Sequence, residues 1–315
     1  MVLAHLRIPA SRLLGLCDCV GSLLARQTEL TSLRGVAALW VFVYHIPIYL
    51  GFASLDTPII SSGYLGVPIF FILSIYLLLK SLDSNPSLEH YFVRRVKRIW
   101  PMYFVTIALV FVYYSHSLSW LAEQTTFGGV FIDNESIGYV FWSLQIEEVA
   151  YLFFPAIHRL SNSSKMSLAI GLYGASVVSF FLILRFGFAL SLWWVPLSLA
   201  SYGLGIMVYL KRIPRFTLAL LIVAPFYWDA IPFEMAAVFI APGFAWVVQE
   251  SYRIKLLKSK GLVWVGNNSY GLYLLHPILL AAFGVVGIVL ALPLAWAFER
   301  ANALGMERLK HSGAG

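Results

Sequence analysis

Apolar runs of roughly 18–22 residues recur along this 315-residue chain, the length that crosses about 30 Å of hydrocarbon as a helix. That repetition restricts the fold more than any other feature. A segment in lipid has no water to bond to, so every backbone N–H and C=O must find its partner inside the protein. Helices and closed barrels are the two solutions. The strict alternation of a barrel strand is absent from these runs. Composition agrees, with 60% hydrophobic and 12% charged residues, where a soluble domain carries about 25% charge. The expected fold class is all-α, a polytopic transmembrane helical bundle.

About ten spans are expected, near residues 33–53, 63–80, 99–116, 138–157, 166–184, 190–210, 216–228, 234–249, 261–279 and 281–298. The last two share a stretch with no polar loop. They form either two helices turning near Pro277 or Gly284, or one long helix. Of the 22 basic residues, all but Arg185 fall in the termini or in alternate loops. The remaining loops hold Asp56, Glu123, Asp133, Glu135, Asp229 and Glu234. Lys and Arg stay on the cytoplasmic side, so both termini are expected in the cytoplasm, and two helices are preferred for 261–298. The same distribution turns the net charge of +7 away from nucleic acid. Cys17 and Cys19 imply neither a disulfide framework nor a zinc site. Residues 1–28 stand apart as a weak signal sequence, an interfacial helix or the product of an early start codon. Residues 29–311 read as one membrane domain.

Ionisable groups inside a span are costly and mark function. Arg34 and His45 are eleven positions apart, three helical turns plus about 20°, so they share a face about 17 Å apart along the axis. Ser143, Glu147 and Tyr151 form an i, i+4, i+8 stripe, and Ser269, Tyr273 and His276 form another. Counted from the expected boundaries, His45, Glu147 and His276 fall in one layer. Arg95 and Arg98 lie within a basic cluster at the boundary of Arg34, where guanidiniums bind phosphates well.

These segments resemble the acyltransferase 3 family of bacterial polytopic O-acyltransferases. The resemblance rests on LTSLRGVAALWVFVYH (30–45), GVPIFFILS (66–74), RRVKRIWPMY (94–103), WSLQIEEVAYLFFP (142–155), SYGLYLLHP (269–277) and the tail FERANALGMERL, in that order. The chain departs from the family in having Pro68 where Asp is common and Ile75 where Gly is usual. The resemblance implies a bacterial inner-membrane enzyme that moves an acyl group, usually acetyl, from acyl-CoA as co-substrate to a hydroxyl. The acceptor would be a carbohydrate or glycolipid, with no metal involved. It also implies that His45 is the essential histidine and that Arg34, Arg95 and Arg98 serve the donor. With Glu147 as its carboxylate partner, His45 would take the acceptor proton, while Ser143, Tyr151, Ser269, Tyr273 and His276 support the substrate. Direct transfer and an acyl-His45 intermediate both remain open. The competing class is a transporter or flippase of lipid-linked sugars.

Overall fold

The computed structural model describes residues 10–52, 57–129, 140–186, 194–223 and 233–311. Among them every regular element is helical, which keeps backbone hydrogen bonds internal as lipid demands. The first half contains α1 (Ala10–Leu50), α2 (Gly66–Ser84), α3 (Leu88–Tyr114), α4 (Leu118–Thr125), α5 (Phe141–Tyr151) and α6 (Phe154–Arg159). The second contains α7 (Asn162–Phe186), α8 (Trp194–Tyr209), α9 (Phe233–Gln249), α10 (Lys260–Asn267), α11 (Ser269–Phe283) and α12 (Val285–His311). Five segments are long and apolar enough to cross a bilayer: Gln27–Leu50, Pro58–Ser84, Leu88–Tyr114, Asn162–Ile183 and Val285–Glu307. Three shorter apolar helices, Trp194–Tyr209, Val238–Gln249 and Ser269–Phe283, join them.

Several expected boundaries move. The backbone of α1 is helical without interruption from Ala10, across the boundary expected near residue 28. The basic cluster Arg94, Arg95, Lys97 and Arg98 belongs to α3 itself, which starts at the Ser87 cap, where the side-chain oxygen accepts from His90 N at 3.3 Å. The expected span 138–157 is two pieces, because α5 stops at Tyr151 and α6 restarts around Pro155. An 11-residue helix covers only about 16 Å. Residues 224–228 of the expected seventh span lie outside the described residues, as do Asp56, Asp133, Glu135 and Asp229. The last stretch is two helices. Gly284 at φ 55° and ψ −129° turns the chain, a conformation that side chains other than hydrogen disfavour, and α12 folds back along α11.

α1 lies at the centre, against α2, α10 and α11. Its approach to α10 is closer than side chains allow. A Cβ on Gly35 would fall 2.7 Å from Gly266 N, and one on Gly266 would overlap the Thr31 carbonyl oxygen. Small residues at such crossings let two backbones pack directly, which is how helices associate where lipid removes the hydrophobic drive. α5 is held differently. The fully buried Gln145 side-chain amide donates to Gln124 Oε1 at 2.6 Å and to Tyr103 Oη at 3.2 Å, joining α5 to α4 and α3. Gly266→Ala should therefore destabilise the fold by about 1–3 kcal/mol, seen as a lower unfolding temperature in detergent. Gly261→Ala in the same helix, whose Cβ would meet only Ser259 Oγ at 3.8 Å, should leave that temperature unchanged.

Candidate active site

Arg34 of α1 and Arg95 and Arg98 of α3 line one cavity of about 600 Å³. Charges of one sign in a partly buried wall repel, and two carboxylates offset them. Glu147 of α5 interacts electrostatically with Arg95 and Arg98, and Glu299 of α12 with Arg34 and Arg98. Each carboxylate is itself held. The Ser74 and Tyr151 hydroxyls lie close to Glu147 and favour its charge, and Glu299 Oε1 accepts from the Gly271 backbone N–H at 3.1 Å. The Arg95 guanidinium lies 6.0 Å from the ring centres of both Tyr91 and Tyr151, within reach of cation–π attraction. Arg34 Nε, Arg95 Nε and Glu147 Oε1 are buried with no hydrogen-bond partner among the described residues. Buried polar atoms are seldom left so. Lys80 and Arg94 also line this cavity.

The same cavity is also lined by Phe70, Phe71, Leu144, Ser143, Ser269 and Tyr273. Ser143 Oγ and Tyr273 Oη share a hydrogen bond of 2.7 Å, both residues are buried, and the Phe70 ring packs edge-on against Tyr273 at 5.5 Å. His45 and His276 do not line this cavity.

The two histidines lie one ring further on. His276 is fully buried, and its ring centre is 6.1 Å from that of Tyr273. Its Nε2 is 3.2 Å from His45 Nδ1, while its Nδ1 is 3.0 Å from the Leu272 carbonyl oxygen. A carbonyl only accepts, so His276 Nδ1 carries the hydrogen and, in the neutral ring, Nε2 carries the lone pair. His45 Nδ1 faces that lone pair and also the Val41 carbonyl oxygen at 2.8 Å, so it too must be the N–H. The proton-accepting nitrogen of His45 is therefore Nε2. The Val41 carbonyl, at the shorter distance, and His276 Nε2 share that N–H and together fix the tautomer from behind, the service a carboxylate gives the imidazole of a catalytic triad.

This geometry corrects the expected layer. Glu147 sits with the arginines, whereas the neighbours of His45 are His276, Tyr44 and Tyr49. The depth of Glu147 had been counted from a helix beginning at the membrane boundary, but α5 begins inside the bundle, with Phe141 already 1% exposed. Ser143 is the α5 residue level with Tyr273, and Glu147 is one turn nearer the arginines. Sequence reasoning also passed over Glu299, Ser74 and Lys80. Glu299 had a signal, an acid in the FERANALGMERL tail, but its target became visible only with the turn at Gly284. No group of three or more His, Cys, Asp or Glu able to hold a metal occurs among the described residues.

Comparison with known proteins gives a consistent outcome. A protein of Acidianus two-tailed virus named as an acetyltransferase is 39% identical over 191 residues, 58% of this chain and 57% of its own length. An acyltransferase of Streptomyces mycarofaciens is 30% identical over 161 residues, 43% of this chain and 40% of its own. A Staphylococcus aureus (strain COL) protein named as an O-acetyltransferase is 26% identical over 178 residues, 48% of this chain and 28% of its own. The chain thus spans little more than half of the viral relative and less of the other two. No solved structure matches it. The acyltransferase-domain family model matches residues 27–299, a stretch that holds every cavity and histidine residue described above, and the chain belongs to that family.

Proposed function

We propose that this protein is a membrane-embedded O-acyltransferase that moves an acyl group, acetyl in the simplest case, from acyl-CoA to a hydroxyl of a sugar or surface-glycan precursor. The observation that carries the reading is the cavity itself, rimmed by three guanidiniums at one end and ending one ring short of a paired imidazole. A phosphate-rich donor with a long thin arm matches that layout. Arg34, Arg95 and Arg98 would take the phosphates through charge-assisted hydrogen bonds, and Lys80 and Arg94 add cationic reach at the same cavity. Glu147 and Glu299 serve as counter-ions that keep the arginines apart and oriented before the donor arrives. The pantetheine arm then runs along Phe70, Phe71 and Leu144 toward Ser143 and Tyr273.

A sugar hydroxyl is a weak nucleophile near neutral pH, and an imidazole is the side chain suited to taking its proton. In the proposed step His45 Nε2 accepts that proton while the hydroxyl oxygen attacks the thioester carbonyl carbon. The tetrahedral adduct collapses with cleavage of the carbon–sulfur bond. The CoA thiolate leaves and recovers the proton from His45, giving an ester and CoA-SH. His276 Nε2 accepts from His45 Nδ1–H throughout, so the charge that forms on His45 has a fixed acceptor behind it. The relatives' names, which include acetyltransferase and O-acetyltransferase, support this reading. By the positive-inside pattern the arginine end would face the cytoplasm, where acyl-CoA is found, and the His45 end the outer side.

Two outcomes are expected. With radiolabelled acetyl-CoA and purified protein, His45→Ala should lower transfer by about 10²–10⁴-fold, the usual worth of a general base, at unchanged protein abundance. His276→Ala should also impair transfer, and His276→Gln, whose side-chain oxygen can accept from Nδ1–H, should recover part of it. Full activity of His45→Ala would remove the mechanism. Arg95→Ala and Arg98→Ala should each raise the acetyl-CoA concentration for half-maximal rate by about 10–150-fold, the loss of one charge-assisted contact, with little change in the acceptor requirement. Donor titration at fixed acceptor reads this, and an unchanged value would return the cluster to a topology anchor.

A further inference from the structure

His45 has a second approach that the donor cavity does not use. The ring is half-buried, whereas His276 behind it is fully buried. Tyr273, hydrogen-bonded to Ser143, lines the arginine-lined cavity, and neither histidine does. The exposed part of His45 therefore lies outside that cavity. Tyr44 lies edge-on to His45 at 5.0 Å and Tyr49 is tilted to it at 6.0 Å. Tyr49 lies one helical turn further from Arg34 along α1.

The far end of α3 meets the same place. α3 starts beside Arg34 with Arg95 and Arg98, so its last residues lie toward the opposite end of α1. Ser115, left-handed at φ 54°, stops the helix and turns the chain into α4. The corner presents Tyr113 and Tyr114 with ring centres 4.7 Å apart, 48% and 38% exposed. His116 lies 5.7 Å from Tyr114, and Tyr114 is near enough to Tyr49 to act on it electrostatically. Tyr44 and Tyr49 thus flank the imidazole, and the exposed Tyr113–Tyr114 corner lies toward the same end of the bundle. Tyr rings offer an apolar face and a hydroxyl tip together. A pyranose matches both, with C–H groups on its faces and hydroxyls on its rim.

Resting on the acyl-transfer reading, we propose that Tyr44, Tyr49 and Tyr114 form the acceptor subsite, which stacks a sugar ring and directs one of its hydroxyls at His45 Nε2. Donor and acceptor then reach His45 from opposite ends of the bundle. Tyrosines at a bilayer interface also serve as anchors, and the test separates the two roles.

In a chain whose Cys17 and Cys19 are Ser, His45→Cys reports access to the site, while Ser84→Cys and Leu118→Cys mark the two ends. A charged thiol reagent applied to right-side-out and inverted vesicles should label position 45 from the Leu118 side and not from the Ser84 side. Methyl glucoside or methyl N-acetylglucosaminide should slow that labelling by about threefold to tenfold, the scale of a stacked ring contact. Tyr49→Ala and Tyr114→Ala should abolish the protection, and Tyr49→Phe and Tyr114→Phe should keep most of it. Labelling from the Ser84 side, absence of protection by either glycoside, or protection that survives both alanine variants would each overturn the subsite. Because labelling needs no turnover, loss of acetyl-CoA turnover in the unsubstituted protein would count against the transfer reading alone. The alanine variants should also raise the acceptor requirement in the transfer assay and leave the donor requirement unchanged.

Discussion

The contact between α1 and the α10–α11 segment sets the rest of the molecule. Gly35 and Gly266 let these backbones touch, and α1 and α11 pack against each other beyond that point. Val41 and Leu272, each four residues before a histidine, then offer their carbonyls to the two Nδ1 atoms. The 3.2 Å contact between residues 231 positions apart in sequence follows from this approach. A larger residue at either glycine would separate the helices, and an imidazole pair tolerates little separation before the hydrogen bond is lost.

The second requirement is electrostatic. Arg34 and Arg95 are partly buried in the cavity wall and carry a desolvation cost, Arg98 beside them is exposed, and the three charges act on one another. α5 and α12 bring one carboxylate each, and those two acids are tied to Ser74, Tyr151 and the Gly271 backbone rather than left to swing. Such sites hold their charges by mutual pairing within a rigid frame. The buried Gln145–Gln124–Tyr103 hydrogen bonds brace α5 from the other side, so the short helix bearing Glu147 is fixed along its length.

Much of this was legible in the sequence. The apolar runs announce helices because lipid leaves the backbone no alternative. The stripes at Ser143, Glu147 and Tyr151 and at Ser269 and Tyr273 line the same cavity as Arg34, Arg95 and Arg98. Helical spacing also placed His45 and His276 at one level. What misled was the assumption that each helix starts at a membrane boundary. α5 starts within the bundle, which moved Glu147 from the histidines to the arginines and left His276 as the partner of His45. Glu299 was out of reach for another reason. Its electrostatic interaction with Arg34 and Arg98 exists only because Gly284 reverses the chain, and no periodicity encodes the meeting of one helix tail with the start of its neighbour.

The Ser143–Tyr273 hydrogen bond has a consequence for the membrane as well as for the chemistry. A bundle with a polar cavity at one end and a partly buried histidine toward the other comes close to being a pore. A continuous file of water through it would carry protons down their gradient on every opening. Two hydroxyls 2.7 Å apart, backed by the Phe70 ring, close that file, and an acyl arm reaching His45 has to part them. The bundle is thereby closed to a through-flow of water as well.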